Sequence, residues 1–168
     1  MKAALTMRLI AAPVLIAALS VGGASLAAIQ KFSVGPGWVL SVHKHVFSGT
    51  TQCKLQKGRA SYGRDAVVFD LGRRVDTADA IYRIDDGAPM RSRDDQMIIA
   101  ERGFSLTSDS LDNPSAGLVR IPVERLQSAQ VVRIEAQDND HPMTFRISGL
   151  SAALVQSRGA GCDDQSFR

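Results

Sequence analysis

Alternation of apolar and polar positions organises this chain, and it is clearest between Ala66 and Gly87. Val67, Phe69 and Leu71 fall at alternate positions. So do Ala78, Ala80, Tyr82 and Ile84, with Asp79, Arg83 and Asp85 opposite them. A period of two, filled with β-branched and aromatic residues, predicts strands with one buried face. Gly72 and Asp76-Thr77 offer turn chemistry between the runs, and Asp85-Asp86-Gly87 closes the second. The pattern predicts a hairpin over Ala66–Gly87 at the centre of an antiparallel sheet. Asp70, Arg73, Arg74, Asp76 and Asp79 would form its solvated polar rim.

The same periodicity recurs on either side. Residues 28–37 read as a leader ending in the Gly35-Pro36-Gly37 break. Trp38, Leu40 and Val42 then share one strand face, with Val39, Ser41 and His43 on the other, and a lone Trp opening a β-domain reads as a core anchor. Ser48-Gly49 turns the chain into a strand carrying Thr51, Cys53 and Leu55, which runs out before a turn at Tyr62–Asp65. Arg91–Asp95 reads as a charged loop. Met97-Ile98-Ile99-Ala100 reads as a short strand buried on both faces. A bulge or turn at Arg102-Gly103-Phe104, the segment Ser105–Thr107 and a turn-rich stretch over 108–116 follow.

Leu118–Ile121 is the next predicted strand, followed by a short helix or turn over Pro122–Ser128 with Val123 and Leu126 facing the sheet. Val131–Ala136 and the alternating Met143, Phe145 and Ile147 form a last hairpin around the loop Asp138–Pro142. The period then changes. Leu150, Ala153, Leu154 and Ser157 follow helical spacing, with Ser148 as cap and Gly159 as left-handed stop. The last six residues, DDQSFR, read as frayed. The expected fold is mainly β: an antiparallel β-sandwich or curled sheet with a short C-terminal helix.

Composition changes this picture at the N-terminus. Lys2 and Arg8, the apolar run Leu9–Val21 and the small residues of Ser25-Leu26-Ala27 make residues 1–27 a secretory signal peptide. Cleavage after Ala27 leaves 28–168 as a single exported β-rich domain, long enough to bury a core. The chain has 20 basic and 17 acidic residues, and losing Lys2 and Arg8 leaves a near-neutral product. Neither nucleic acid nor stable membrane insertion after signal cleavage is expected. Cys53 and Cys162 lie 109 positions apart, and in an exported protein the simplest reading is one disulfide between them.

Candidate chemistry is sparse. His43 and His45 would stand on one strand face about 7 Å apart, and with His141 they could hold a metal or small ligand. Asp138-Asn139-Asp140 lacks the downstream Gly and Glu of a calcium loop. Asp85-Asp86 and Asp94-Asp95 are paired carboxylates of the type a hydrolase would use. No GxSxG, HExxH or phosphate-binding glycine motif occurs. No catalytic residue, metal or cofactor is expected, and the chain reads as a non-enzyme.

One combination of residues carries a resemblance. Trp38 in a first strand, Cys53 in the next, IYRIDDG at 81–87, and Phe145, Gly149, Leu150, Ala153 and Leu154 running into Cys162 loosely resemble small exported proteobacterial β-proteins. These include the invasion-associated locus B family and periplasmic accessory proteins of type VI secretion. The resemblance implies a periplasmic or secreted binding protein without catalytic residues, acting through protein–protein interaction with an envelope or extracellular partner.

Overall fold

The computed structural model describes residues 29–73, 75–101, 117–136 and 141–167. The signal-peptide expectation over 1–27, the 102–116 stretch and the Asp138-Asn139-Asp140 loop lie outside the described residues, as does Arg74 of the polar rim.

Among the described residues the alternating runs become two antiparallel sheets. The six-stranded sheet runs, in spatial order, β1 (Ile29–Ser33), β2 (Val39–Lys44), β3 (Thr51–Lys57), β4 (Ala60–Gly63), β5 (Ala66–Asp70) and β8 (Leu118–Pro122). The four-stranded sheet runs β10 (Met143–Arg146), β9 (Val131–Glu135), β6 (Ile81–Ile84) and β7 (Met90–Arg91). Among the described residues, helices α1 (Ser92–Glu101) and α2 (Leu150–Gly159) join them, with a 3-10 turn at Val123–Arg125 after β8.

Register shows why the alternation was legible. Leu40, Leu55, Tyr62, Val67 and Ile121 lie opposite one another across five strands, forming one buried row. Each such side chain contributes roughly 1.5–3 kcal/mol on burial. Tyr82, Val132, Ile134 and Phe145 of the second sheet join the same core. Phe69 and Phe145 meet across it edge to face, with ring centroids 5.0 Å apart. Trp38 is wholly buried, and its Nε1–H donates to the Ser148 carbonyl at 3.2 Å, tying the first sheet to the entry of α2. The predicted core-anchor role is the one it has.

The Ala66–Gly87 hairpin does not form. β5 pairs with β4 and β8, whereas β6 lies in the other sheet between β9 and β7. Both strands bury the predicted faces, because alternation fixes a face without naming a partner. The connection between them is pinned to the start of β8. Thr77 is buried and donates its hydroxyl to the Leu118 carbonyl at 3.1 Å, and the Leu71 N–H donates to the Gly117 carbonyl at 2.8 Å. Gly117, at φ 70, comes so close that a Cβ there would lie 1.8 Å from the Gly72 carbonyl oxygen. Only glycine fits.

Four further expectations change. Residues 29–33, read as part of a leader, form edge strand β1 in regular register with β2. Ala60–Gly63 is strand β4. The turns that bound it sit at Gly58, with φ 57, and at Arg64-Asp65, where two positive φ values (41 and 64) give the twist a two-residue hairpin needs. Met97–Ala100 belongs to α1, not to a strand. Asp94 and Asp95 in the first turn suit the helix dipole, Ile99 is buried and Met97 is exposed, so only one face of the run is inside. Arg91 itself pairs in β7, and the expected charged loop is the start of that helix.

Helix α2 spans the predicted residues with Leu150, Ala153 and Ser157 buried, but both of its ends differ. Gly149 at φ 82 is the N-cap, with no side-chain cap, and Ser148 instead accepts from Trp38 and Lys57. Gly159 is still helical, and the left-handed position is Gly161 at φ 85.

The C-terminal residues through Phe167 are tied down, not frayed. Phe167 bridges to Cys53 in parallel, the Cys53 N–H donates to the Ser166 carbonyl at 2.8 Å, and the Phe167 ring packs edge to face on Tyr62 with centroids 4.8 Å apart. Asp163 accepts from the Ser166 hydroxyl and N–H, which holds its carboxyl below the usual range. The Cys53–Cys162 disulfide is formed, with Cα atoms 6.0 Å apart.

Candidate functional site

The sequence offers three histidines, two carboxylate pairs and a disulfide, and the structure separates their roles. Cys53 and Cys162 are both buried and covalently joined, so they are structural. A disulfide fits an oxidising, exported compartment. Among the described residues no helix is long and apolar enough to cross a membrane.

The carboxylate pairs do not form an acid–base couple. Asp85, at φ 50, accepts backbone N–H groups from Gln130 and Val131, with its Oδ1 at 3.1 and 2.9 Å, and so anchors the start of β9. Its neighbour Asp86 is fully exposed beside Arg133. Asp94 lies at the surface, whereas Asp95 is only 1 % exposed.

Asp95 is the most unusual ionisable group described. Its Oδ2 accepts a short hydrogen bond from the buried Tyr82 hydroxyl. Its Oδ1 lies 2.8 Å from Arg125 Nη2, an ion contact without hydrogen-bond alignment. Burial raises the Asp95 carboxyl above the usual range, with Tyr82 and Arg125 opposing that rise. Burial also pushes the Tyr82 phenol up, reinforced by Asp95. The three side chains link β6, α1 and the 3-10 turn after β8. A depression of about 290 Å³ adjoins them, lined by Pro89, Met90, Arg91, Asp94, Asp95 and Arg125. With Asp95 and Tyr82 committed to each other, the cluster is a buried polar tie between helix and sheets.

His43 and His45 do come together. Their rings sit with centroids 4.4 Å apart and tilted by 54°, and His45 Nε2 is buried without a partner. His141 is exposed just before β10. Among the described residues no group of three His, Cys, Asp or Glu side chains is placed to hold a metal. The pair supplies two nitrogens, short of the three or four ligands of a zinc site.

The feature that sequence reading missed lies beyond the histidines. β2 and β3 are joined by a tight turn in which the Gly49 N–H donates to the His45 carbonyl and the His45 N–H to the Thr50 carbonyl, both at 2.9 Å. The Ser48 and Thr50 hydroxyls bond each other at 2.7 Å. This ordered turn holds Phe47 fully in solvent and Val46 57 % exposed. Ile29 of β1, 61 % exposed, lies opposite His43 in the register, so both face the outer side of the sheet near the same end. The tip thus presents Val46 and Phe47 to solvent, with Ile29 and the histidine pair at the same end of the sheet. Two large apolar residues beside a Ser-Gly turn were visible in the sequence as a signal against a purely solvated loop.

Charge is also unevenly distributed. Residues 29–63 contain Lys31, Lys44, Lys54, Lys57 and Arg59 and no Asp or Glu. Near-neutrality of residues 28–168 therefore conceals a cationic β1–β4 region and an acidic remainder.

Comparison with known proteins gives no relative: no family model, curated protein or solved structure matches this chain.

Proposed function

We propose that this is a non-enzymatic exported protein of the periplasm or extracellular space that docks its β2–β3 tip on another protein of the cell envelope. The observation that carries this reading is the fully exposed Phe47, held with Val46 on a hydrogen-bonded turn. Leaving such side chains in water forgoes roughly 1.5–3 kcal/mol each, recoverable on docking. Aromatic residues presented on rigid turns are the usual anchors of interfaces. The disulfide and the resemblance to exported envelope β-proteins support the compartment. A photo-crosslinking amino acid at position 47 tests the reading in intact cells. A discrete adduct, absent when the probe sits at exposed Asp86, is expected. Labelling no different from the Asp86 control would end it.

A second reading rests on the paired imidazoles and the unpartnered His45 Nε2. It makes the tip a metal or small-ligand site. Calorimetric titration with Zn²⁺ distinguishes it: stoichiometric binding abolished by His43→Ala would favour this alternative over docking through Phe47.

A further inference from the structure

We infer that β1 is a receptor edge, and that the docking partner adds an acidic, extended segment to it as a further strand. This rests on the docking reading and names the chemistry of its partner. β1 ends the six-stranded sheet, and all five of its residues are exposed. Its register with β2 is regular from Ile29 to Ser33, with no bulge and no proline; Lys31 is its one charged residue, and no described strand pairs its outer side. The other edges differ. α1 packs against β8 at the opposite end of the same sheet, and the edges of the second sheet are shorter, β10 at four residues and β7 at two.

Side chains specify what would fit. Phe32 lies opposite Leu40 and so extends the buried row Leu40–Leu55–Tyr62–Val67–Ile121, yet it is 41 % exposed because no described strand lies outside it. An added strand with an apolar residue opposite Phe32 would complete that row. Lys31, Ser41 and Lys54 form the next row, on the outer face. With no acidic residue in 29–63 to neutralise it, a carboxylate on the incoming strand would face Lys31. Charge argues against a second copy of this chain. Antiparallel self-pairing centred on β1 would place Lys31 directly opposite Lys31, with the Lys54 of each copy two strands away in the same row. Strand addition supplies affinity through main-chain hydrogen bonds and specificity through alternate side chains.

The test uses the exported domain with its disulfide intact and two synthetic ten-residue peptides of alternating Val and Thr. One carries Glu at two Thr positions and the other carries Lys there. Amide hydrogen exchange is read residue by residue. The acidic peptide is expected to slow exchange at alternate β1 amides by tenfold or more, with the effect weakened in 0.5 M salt. The lysine peptide should do this at least tenfold less well, and Lys31→Glu with Lys54→Glu should reverse the preference.

Equal protection by both peptides, or by neither, overturns the inference. So does β1 protection without peptide in a species sedimenting at twice the monomer mass. Binding to vesicles containing phosphatidylglycerol through Val46 and Phe47, with β1 amides unprotected, would identify an anionic lipid surface instead. Failure here with a discrete Phe47 adduct leaves docking standing. Peptide-induced β1 protection without that adduct rejects the tip while keeping the edge.

Discussion

Removing the Cys53–Cys162 bond should lower stability by an amount the structure bounds. The bond joins residues 109 apart, and the chain-entropy relation gives about 4.8 kcal/mol for a loop of that length. A Cys53→Ala/Cys162→Ala variant keeps the other attachments of the tail: the Cys53 N–H to Ser166 bond, the Phe167 bridge and the packing of Phe167 on Tyr62. The native topology should therefore survive, and the loss should come chiefly from a freer unfolded chain. Native bridges typically yield about 2–5 kcal/mol. With a urea m-value of about 2 kcal/mol/M, the midpoint should fall by roughly 1–2.5 M, and m should rise slightly as the unfolded state expands. Urea unfolding followed by Trp38 fluorescence reads both quantities. A midpoint within about 0.3 M of the parent would refute the reasoning, because it would mean that the unfolded chain is not constrained by this closure. Loss of protection confined to residues 162–167, with the sheets intact, would show that the bond holds only the tail.

Asp95 gives a pH prediction. Its folded-state carboxyl is raised, so its contribution is complete below the unfolded value near about 4 and is lost as pH rises through the higher folded value. Denaturation curves from pH 4 to 7 should show this decline in the parent and a flatter profile in Asp95→Asn. Tyr82→Phe leaves Asp95 Oδ2 unpaired and should cost about 1–3 kcal/mol in the same assay. Gly149→Ala forces a Cβ to within 2.3 Å of Pro36 Cδ at a φ of 82, and should destabilise by roughly 2–4 kcal/mol. Gly159→Ala, inside α2 with nothing within 4 Å, should stabilise by about 0.5–1 kcal/mol, and thermal melts separate the two.

Faces were legible in the sequence and partners were not. Leu40 and Val42, Cys53 and Leu55, Val67 and Phe69 all bury as alternation predicts, since the period of a strand sets which side chains share a side. The β9–β10 hairpin and α2 were equally readable, each from one uninterrupted pattern. The pairing of β5 with β8 was hidden because it depends on a close approach between Gly72 and Gly117, forty-five positions apart. α1 was hidden because four apolar residues in a row satisfy a strand and a helix alike. β1 was hidden because an edge strand exposed along its whole length shows no contrast between its sides. The histidine pair was found at the sequence level, but the apolar tip beyond it needed the register that sets Ile29 beside His43.

The parallel bridge between Phe167 and Cys53 has a consequence for how the molecule is made. Phe167 supplies a strand neighbour for Cys53, which lies far earlier in the chain. Synthesis must therefore pass residue 167 before this part of the sheet can close. With two cysteines in the sequence there is one possible intramolecular pairing, so oxidation needs no proofreading by an isomerase. A product truncated before Cys162 would lack both the thiol and the closing segment, and would leave a gap in the sheet beside Cys53.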